Sequence, residues 1–207
     1  LSGSLNTNTN NLIGGNALLG PLANNGGTTQ TMRPLPGSPA INAGSNCVLT
    51  ANGCGNGNPA LTTDQRGAGF NRQVGSKVDI GAFEANYSLT VTGGNNQSVT
   101  VNAAFANPLQ AMLTESGQPV SGVTLTFTPP MSGASASLSS ATAMTNASGQ
   151  ASVTATANGV TGMYQVTAGV TGLTGAAVDL SNTCPTITAT VTGGDVICPP
   201  RLAGGLV

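Results

Sequence analysis

From Tyr87 to Leu180, apolar and hydroxyl side chains take turns along the chain. Tyr87, Leu89 and Val91 alternate with Ser88, Thr90 and Thr92, and Val99 and Val101 flank Thr100. Val123, Leu125 and Phe127 alternate with Thr124, Thr126 and Thr128. Ala151, Val153, Ala155 and Ala157 alternate with Ser152, Thr154 and Thr156; Tyr164, Val166 and Ala168 alternate with Gln165 and Thr167; Ala176, Val178 and Leu180 close the series. A period of two sends one set of side chains into a core and the other into water, as in half-buried β-strands. Gly93-Gly94-Asn95-Asn96, Ser116-Gly117-Gln118-Pro119, Asn146-Ala147-Ser148-Gly149 and Asn158-Gly159 supply the turns between runs. Roughly seven strands in about one hundred residues predict a β-sandwich.

Composition narrows the function classes. Only 5% of the 207 residues are charged and the net charge is −1, so no Lys/Arg stripe exists to neutralise phosphates and nucleic acid is not an expected partner. No apolar run approaches the ~20 residues that span a bilayer, and no basic amphipathic stretch marks a membrane surface. Membrane insertion is not expected. Leu1 is followed by no charged-then-apolar leader, which reads as a mature or excised segment of an exported protein. Aromatic residues make up 3%, and Trp and His are absent. The core must therefore be built from Val, Leu, Ile and Ala. Thr and Val favour pleated strands while Gly and Asn favour turns, so this composition predicts an ordered β-protein rather than a disordered one.

Residues 1–84 read differently. Gly14-Gly15, Asn24-Asn25-Gly26-Gly27, Pro34, Pro36, Gly37 and Pro39 interrupt any helical period. Short apolar clusters sit between them, at Leu12-Ile13, Leu18-Leu19, Leu35, Ala40-Ile41, Val78, Ile80 and Phe83. Strands of a few residues joined by tight turns are expected. Asn8-Thr9-Asn10-Asn11 beside Leu12-Ile13 fits one coil of a β-solenoid, where Asn side chains stack and bond turn backbone. A single coil cannot bury its own apolar face, so neighbours are implied.

Four cysteines fall into two close pairs, Cys47/Cys54 and Cys184/Cys198. Neither has metal-binding spacing and no His is present, which leaves disulfides or free buried thiols. Of the three disulfide connectivities, the sequential one is expected, Cys47–Cys54 with Cys184–Cys198, and it implies an oxidising compartment.

The run Leu18-Leu19-Gly20-Pro21-Leu22-Ala23-Asn24-Asn25-Gly26-Gly27, then Pro36-Gly37-Ser38-Pro39-Ala40-Ile41-Asn42-Ala43-Gly44, then Thr63-Asp64-Gln65-Arg66-Gly67 and Asp79-Ile80-Gly81-Ala82-Phe83-Glu84, resembles the closing segment of right-handed parallel β-helix proteins of the choice-of-anchor or polymorphic outer-membrane type. The resemblance implies a terminal coil and cap over residues 1–84. Residues 85–183 resemble bacterial immunoglobulin-like domains of the invasin/intimin class. That likeness rests on Pro119-Val120-Ser121-Gly122-Val123-Thr124-Leu125-Thr126-Phe127, Thr145-Asn146-Ala147-Ser148-Gly149-Gln150-Ala151 and Gly162-Met163-Tyr164-Gln165-Val166-Thr167-Ala168. The fold class expected is all-β: a β-helix terminal coil and cap followed by an immunoglobulin-like sandwich.

Where charge is scarce, each charged residue carries weight. Asp64, Arg66, Asp79 and Glu84 are read as a structural clamp, with an Arg66–carboxylate fork tying the cap loop to the last coil. The alternatives are calcium held by Asp64, Asp79 and Glu84, or a carboxylate pair for acid–base work. No aromatic platform or second titratable cluster accompanies them, so neither a cofactor nor an enzymatic activity is expected. Tyr164 is expected half-buried, its hydroxyl on a backbone partner.

Residues 184–207 repeat the pattern of Leu89 to Gly94. Ile187, Ala189 and Val191 alternate with threonines and run into Gly193-Gly194. This predicts the start of a further module or a strand exchanged with a neighbour, the strand-addition route to head-to-tail assembly. The expected function is a stalk or fibre segment of a secreted bacterial surface protein, outside the cell, partnered by copies of itself or by flanking domains. The alternatives are an adhesin module for a glycan or protein ligand and a non-catalytic remnant of a β-helix polysaccharide-processing enzyme.

Overall fold

The computed structural model describes Leu12 and residues 14–55 and 57–185. The coil expected around residues 5–13 lies outside them except for Leu12, as do Ile187, Ala189, Val191 and Cys198. Among the described residues the protein is all-β. They form eleven strand segments and one 3₁₀ turn, Asn46–Leu49, and none of them makes a helix long and apolar enough to cross a membrane.

Two compact units divide the chain. The first takes the residues up to Ser88 together with Thr114–Gln118 and Thr171–Leu173, and the second takes Leu89–Leu113, Pro119–Val170 and the residues from Thr174 on.

The first unit is held by loops rather than ladders. Its pairings upstream of Tyr87 are single antiparallel bridges, Leu19 with Pro34, Ala23 with Thr31 and Thr63 with Asn71, where runs of several residues were expected. Gly and Pro at every few positions leave no stretch free to extend a ladder. Cys47 and Cys54 are joined, as the spacing predicts, and no free cysteine occurs among the described residues. Backbone bonds from Leu61 to Val48 (2.8 Å) and from Asn52 to Asn58 (2.9 Å) fold the rest of that loop around the disulfide.

The strands are β1 (Tyr87–Gly93), β2 (Gln97–Thr100), β3 (Leu109–Glu115), β4 (Gln118–Pro119), β5 (Thr124–Thr128), β6 (Ala136–Leu138), β7 (Thr142–Met144), β8 (Gln150–Val153), β9 (Ala155–Ala157), β10 (Gly162–Gly169) and β11 (Ala176–Thr183). One sheet runs β1-β3-β4, with β8 also on β3; the other runs β2-β11-β10-β5-β7; β6 and β9 pair separately. The chain changes sheets at two places, once at a turn expected from the sequence and once inside a run that reads as a single strand. The chain leaves β1 in one sheet to enter β2 in the other. Likewise residues 150–157 break at Thr154 into β8, paired with β3, and β9, paired with β6.

The alternation holds where the strands form. β5 and β10 bury every second residue, and Leu109, Ala111, Leu125, Phe127, Val166, Ala168 and Val178 lie wholly inside a core shared by the facing sheets. Burying an aliphatic side chain of this kind contributes about 1.5–3 kcal/mol, which is how a sandwich with so few aromatics holds together. Tyr164 departs from expectation. It is buried among these residues, but its hydroxyl has no hydrogen-bond partner, and neither has the buried Oδ1 of Asn182. Burial pushes the Tyr164 hydroxyl up to about 12.

Candidate functional site

The densest chemistry lies in the first unit, where Asp64, Arg66, Arg72, Asp79, Glu84 and Glu115 are all buried. A buried charge is costly unless it is paired or hydrogen-bonded, and here each has hydrogen-bond partners. Asp64 caps its own turn: Oδ1 accepts the Arg66 amide at 2.8 Å. The Arg66 guanidinium then closes on the same carboxylate, Nη2 to Oδ2 at 2.8 Å and Nε to Oδ2 at 3.0 Å. Nη2 also donates to the Glu84 carbonyl at 2.7 Å, and Nη1 reaches both Glu115 oxygens at 3.4 Å. The Phe70 and Phe83 rings cover its two faces, with centroids 3.9 and 3.7 Å away. A flat, weakly hydrated cation fits such a slot; a lysine ammonium does not.

Arg72 makes a second node. Its Nη1 donates to Glu84 Oε2 at 2.9 Å, and its Nη2 reaches the carbonyls of Asp79 at 3.2 Å and Gly81 at 2.9 Å. Glu84 further accepts the amides of Val74 and Asp79, each at 2.9 Å. Asp79 spans two loops, with Oδ1 on the Asn42 amide and Oδ2 on the Ala85 amide, both at 2.7 Å. The Glu84 amide returns to Asp64 Oδ2 at 2.9 Å, which joins the two nodes. Burial pushes the Asp79 and Glu84 carboxyls above their ordinary values, opposed by these backbone amides and by Arg72.

The four residues singled out from sequence do come together, but not as a single fork. Arg66 pairs with Asp64 and Arg72 with Glu84, while Asp79 binds backbone only. Arg72 and Glu115 were missed. The signal that identified the others applied to both, since each is one of only eleven charged residues in the chain (Lys+Arg 5, Asp+Glu 6). The calcium alternative meets a chemical obstacle. Every oxygen of Asp64, Asp79 and Glu84 already faces an N–H donor, and a cation there would have to displace it. The same saturation bears on acid–base chemistry, because each of these carboxyl oxygens is already engaged by an N–H.

No protein-family model and no curated protein matches the chain. Solved structures similar to it include the D00-D0 domain of intimin, at 23% identity and TM-score 0.37, covering 46% of this chain and 46% of that one. The D0-D1 domain of intimin is similar at 19% identity and TM-score 0.37, covering 56% and 59%. A C-terminal 282-residue fragment of intimin, solved in complex with the intimin-binding domain of the translocated intimin receptor, is similar at 24% identity and TM-score 0.35, covering 48% and 33%. The chain spans less than two thirds of each of these structures. At such values the assignment of an all-β sandwich rests on the strands and registers described above.

Proposed function

We propose that the chain is a load-bearing spacer of a secreted, surface-displayed bacterial protein, a stalk segment rather than an enzyme. The observation that carries this reading is the pairing of β2 with β11. These strands lie near the start and the finish of the second unit, and they run parallel, Leu180 against Gln97 through Thr183 against Thr100. The Val101 amide extends the ladder to the Thr183 carbonyl at 2.9 Å. Tension applied to the two ends of the unit pulls these strands past each other along their length. The ladder bonds, evenly spaced along this parallel pair, are then loaded together in shear rather than opened one at a time. The Cys47–Cys54 disulfide and the near-neutral, threonine-rich surface support an extracellular setting.

Single-molecule stretching of the chain by its ends tests the reading. The second unit is expected to rupture in one cooperative event, and V101P, which removes a ladder donor, to lower the rupture force markedly. G149A weakens the same unit away from this ladder and is expected to lower the force less. Equal rupture forces for V101P and the unaltered chain would sink the proposal.

A further inference from the structure

We propose that the outer face of β10, β11 and β2 binds a neutral, hydroxyl-rich ligand, a saccharide presenting one or two pyranose rings. This goes beyond the spacer role and stands without it. The registers set Met163 opposite Ser181 and Ser181 opposite Ser98, and in the next row Gln165 opposite Asp179. Asn96, just ahead of β2, continues that second row. All six residues line a groove of about 450 Å³, within the size range of small-molecule sites. With neighbouring strands ~4.8 Å apart and same-face residues ~7 Å apart along a strand, the array measures roughly 10 by 7 Å.

Its chemistry is mixed in a way that suits hydroxyl groups, which both give and take hydrogen bonds. There is one carboxylate, two carboxamides, two hydroxyls and a thioether. Met163 is 86% exposed and supplies an apolar, polarizable surface for the C–H face of a ring. Asp179 is the only formally charged side chain among the described residues of the second unit. Aspartate is disfavoured in the middle of a strand, so its place there needs a reason. It is held in position: its amide donates to Asn95 Oδ1 at 2.7 Å, and its Oδ1 accepts from Gln165 Nε2 at 2.8 Å. Among the described residues no protein donor reaches Oδ2. An anionic ligand finds no Lys or Arg among the described residues of this unit to neutralise it. A basic ligand gains only what one exposed ion pair gives, which is little, and it leaves the carboxamides and hydroxyls unused.

The full chain with isotope-labelled methionine methyl groups reports on the groove directly, because Met163 lines it while Met131 and Met144, also exposed, do not. Titration at millimolar concentration with neutral oligosaccharides of glucose, mannose, galactose and N-acetylglucosamine is expected to shift the Met163 methyl saturably and to leave Met131 and Met144 in place. The shift is expected to be the same at low and high salt. D179A should weaken binding at least roughly tenfold, the effect of losing a charged acceptor, and D179N, which keeps an acceptor oxygen, should weaken it less. Q165A is the second variant should D179A disturb the sheet, and it too should weaken binding. The proposal is overturned if none of these saccharides moves the Met163 methyl. It is also overturned if the shift persists unchanged in both D179A and Q165A, or if oligolysine produces a shift that salt abolishes while the saccharides do not.

Discussion

Arg66 meets a partner in every direction: Asp64 and Glu115 at its nitrogens, the Glu84 carbonyl in the plane, Phe70 and Phe83 above and below. R66A leaves two buried carboxylates uncompensated and is expected to destabilise the first unit by about 3–5 kcal/mol. R66K is expected to recover little of this, since an ammonium cannot fork to Asp64 and stack between two rings at once. Hydrogen exchange at the Glu84 and Ala85 amides reads the effect locally, because they donate to Asp64 and Asp79 respectively. Unchanged protection there in R66A would show that Arg66 is not what holds the loops. At this scale much of the site was legible. Asp64, Arg66, Asp79 and Glu84 stand out in so neutral a chain, and the fold brings them together. Their partition was not legible, because it depends on Arg72, which takes Glu84, and on Glu115, which comes from a strand far along the chain. Sequence spacing carries no information about which of several carboxylates a guanidinium will reach across a fold.

The strands that alternate most strictly, β5, β10 and β11, could be read from the sequence. β3 could not. Leu109-Gln110-Ala111-Met112-Leu113-Thr114-Glu115 places Met112 on its less buried face, and its last inward residue is the buried Glu115, so the pattern blurs although every second residue is buried. The break at Thr154 was also hidden. A strand that changes sheets keeps its period, and only the identity of its partner changes. Turns were read as loop composition, which does not distinguish a required glycine from a tolerated one. Gly149 has φ +73° and a Cβ there would sit 2.5 Å from the Leu113 carbonyl oxygen, whereas Gly159 is outside the left-handed region and its nearest neighbour would be 3.6 Å away. G149A is therefore expected to cost more than about 1 kcal/mol, and G159A to stay within about 0.5 kcal/mol of the unaltered chain, by urea denaturation. Equal costs would mean that the 146–150 turn relaxes around the added methyl.

Over the whole molecule, part of the pH response comes from buried groups whose ordinary values the fold displaces. No histidine is present, so nothing with the ordinary imidazole value titrates near neutrality. The tyrosines at positions 87 and 164 are both pushed up to about 12 by burial, far from the working range. Asp79 and Glu84 contribute a slope on the acid side of neutrality, and its direction is opposite to that of an ordinary salt-bridged carboxylate. A carboxyl whose folded value lies above its unfolded value binds its proton more tightly when folded. The stability this contributes is complete below the unfolded value and is lost as pH rises through the folded one. Lowering the pH from 7 through the raised values toward the ordinary 4.5 of Glu84 and 3.8 of Asp79 is thus expected to raise the urea midpoint of the first unit, with no further gain from these two groups below that. D79N and E84Q are each expected to lower the midpoint throughout, because their amide nitrogens face N–H donors, and to flatten the slope between pH 7 and the ordinary carboxyl range. A midpoint that falls steadily over the same interval in the unaltered chain, and falls less in the two variants, would mean that the backbone amides and Arg72 outweigh burial. The two carboxylates would then stabilise the fold in their charged form.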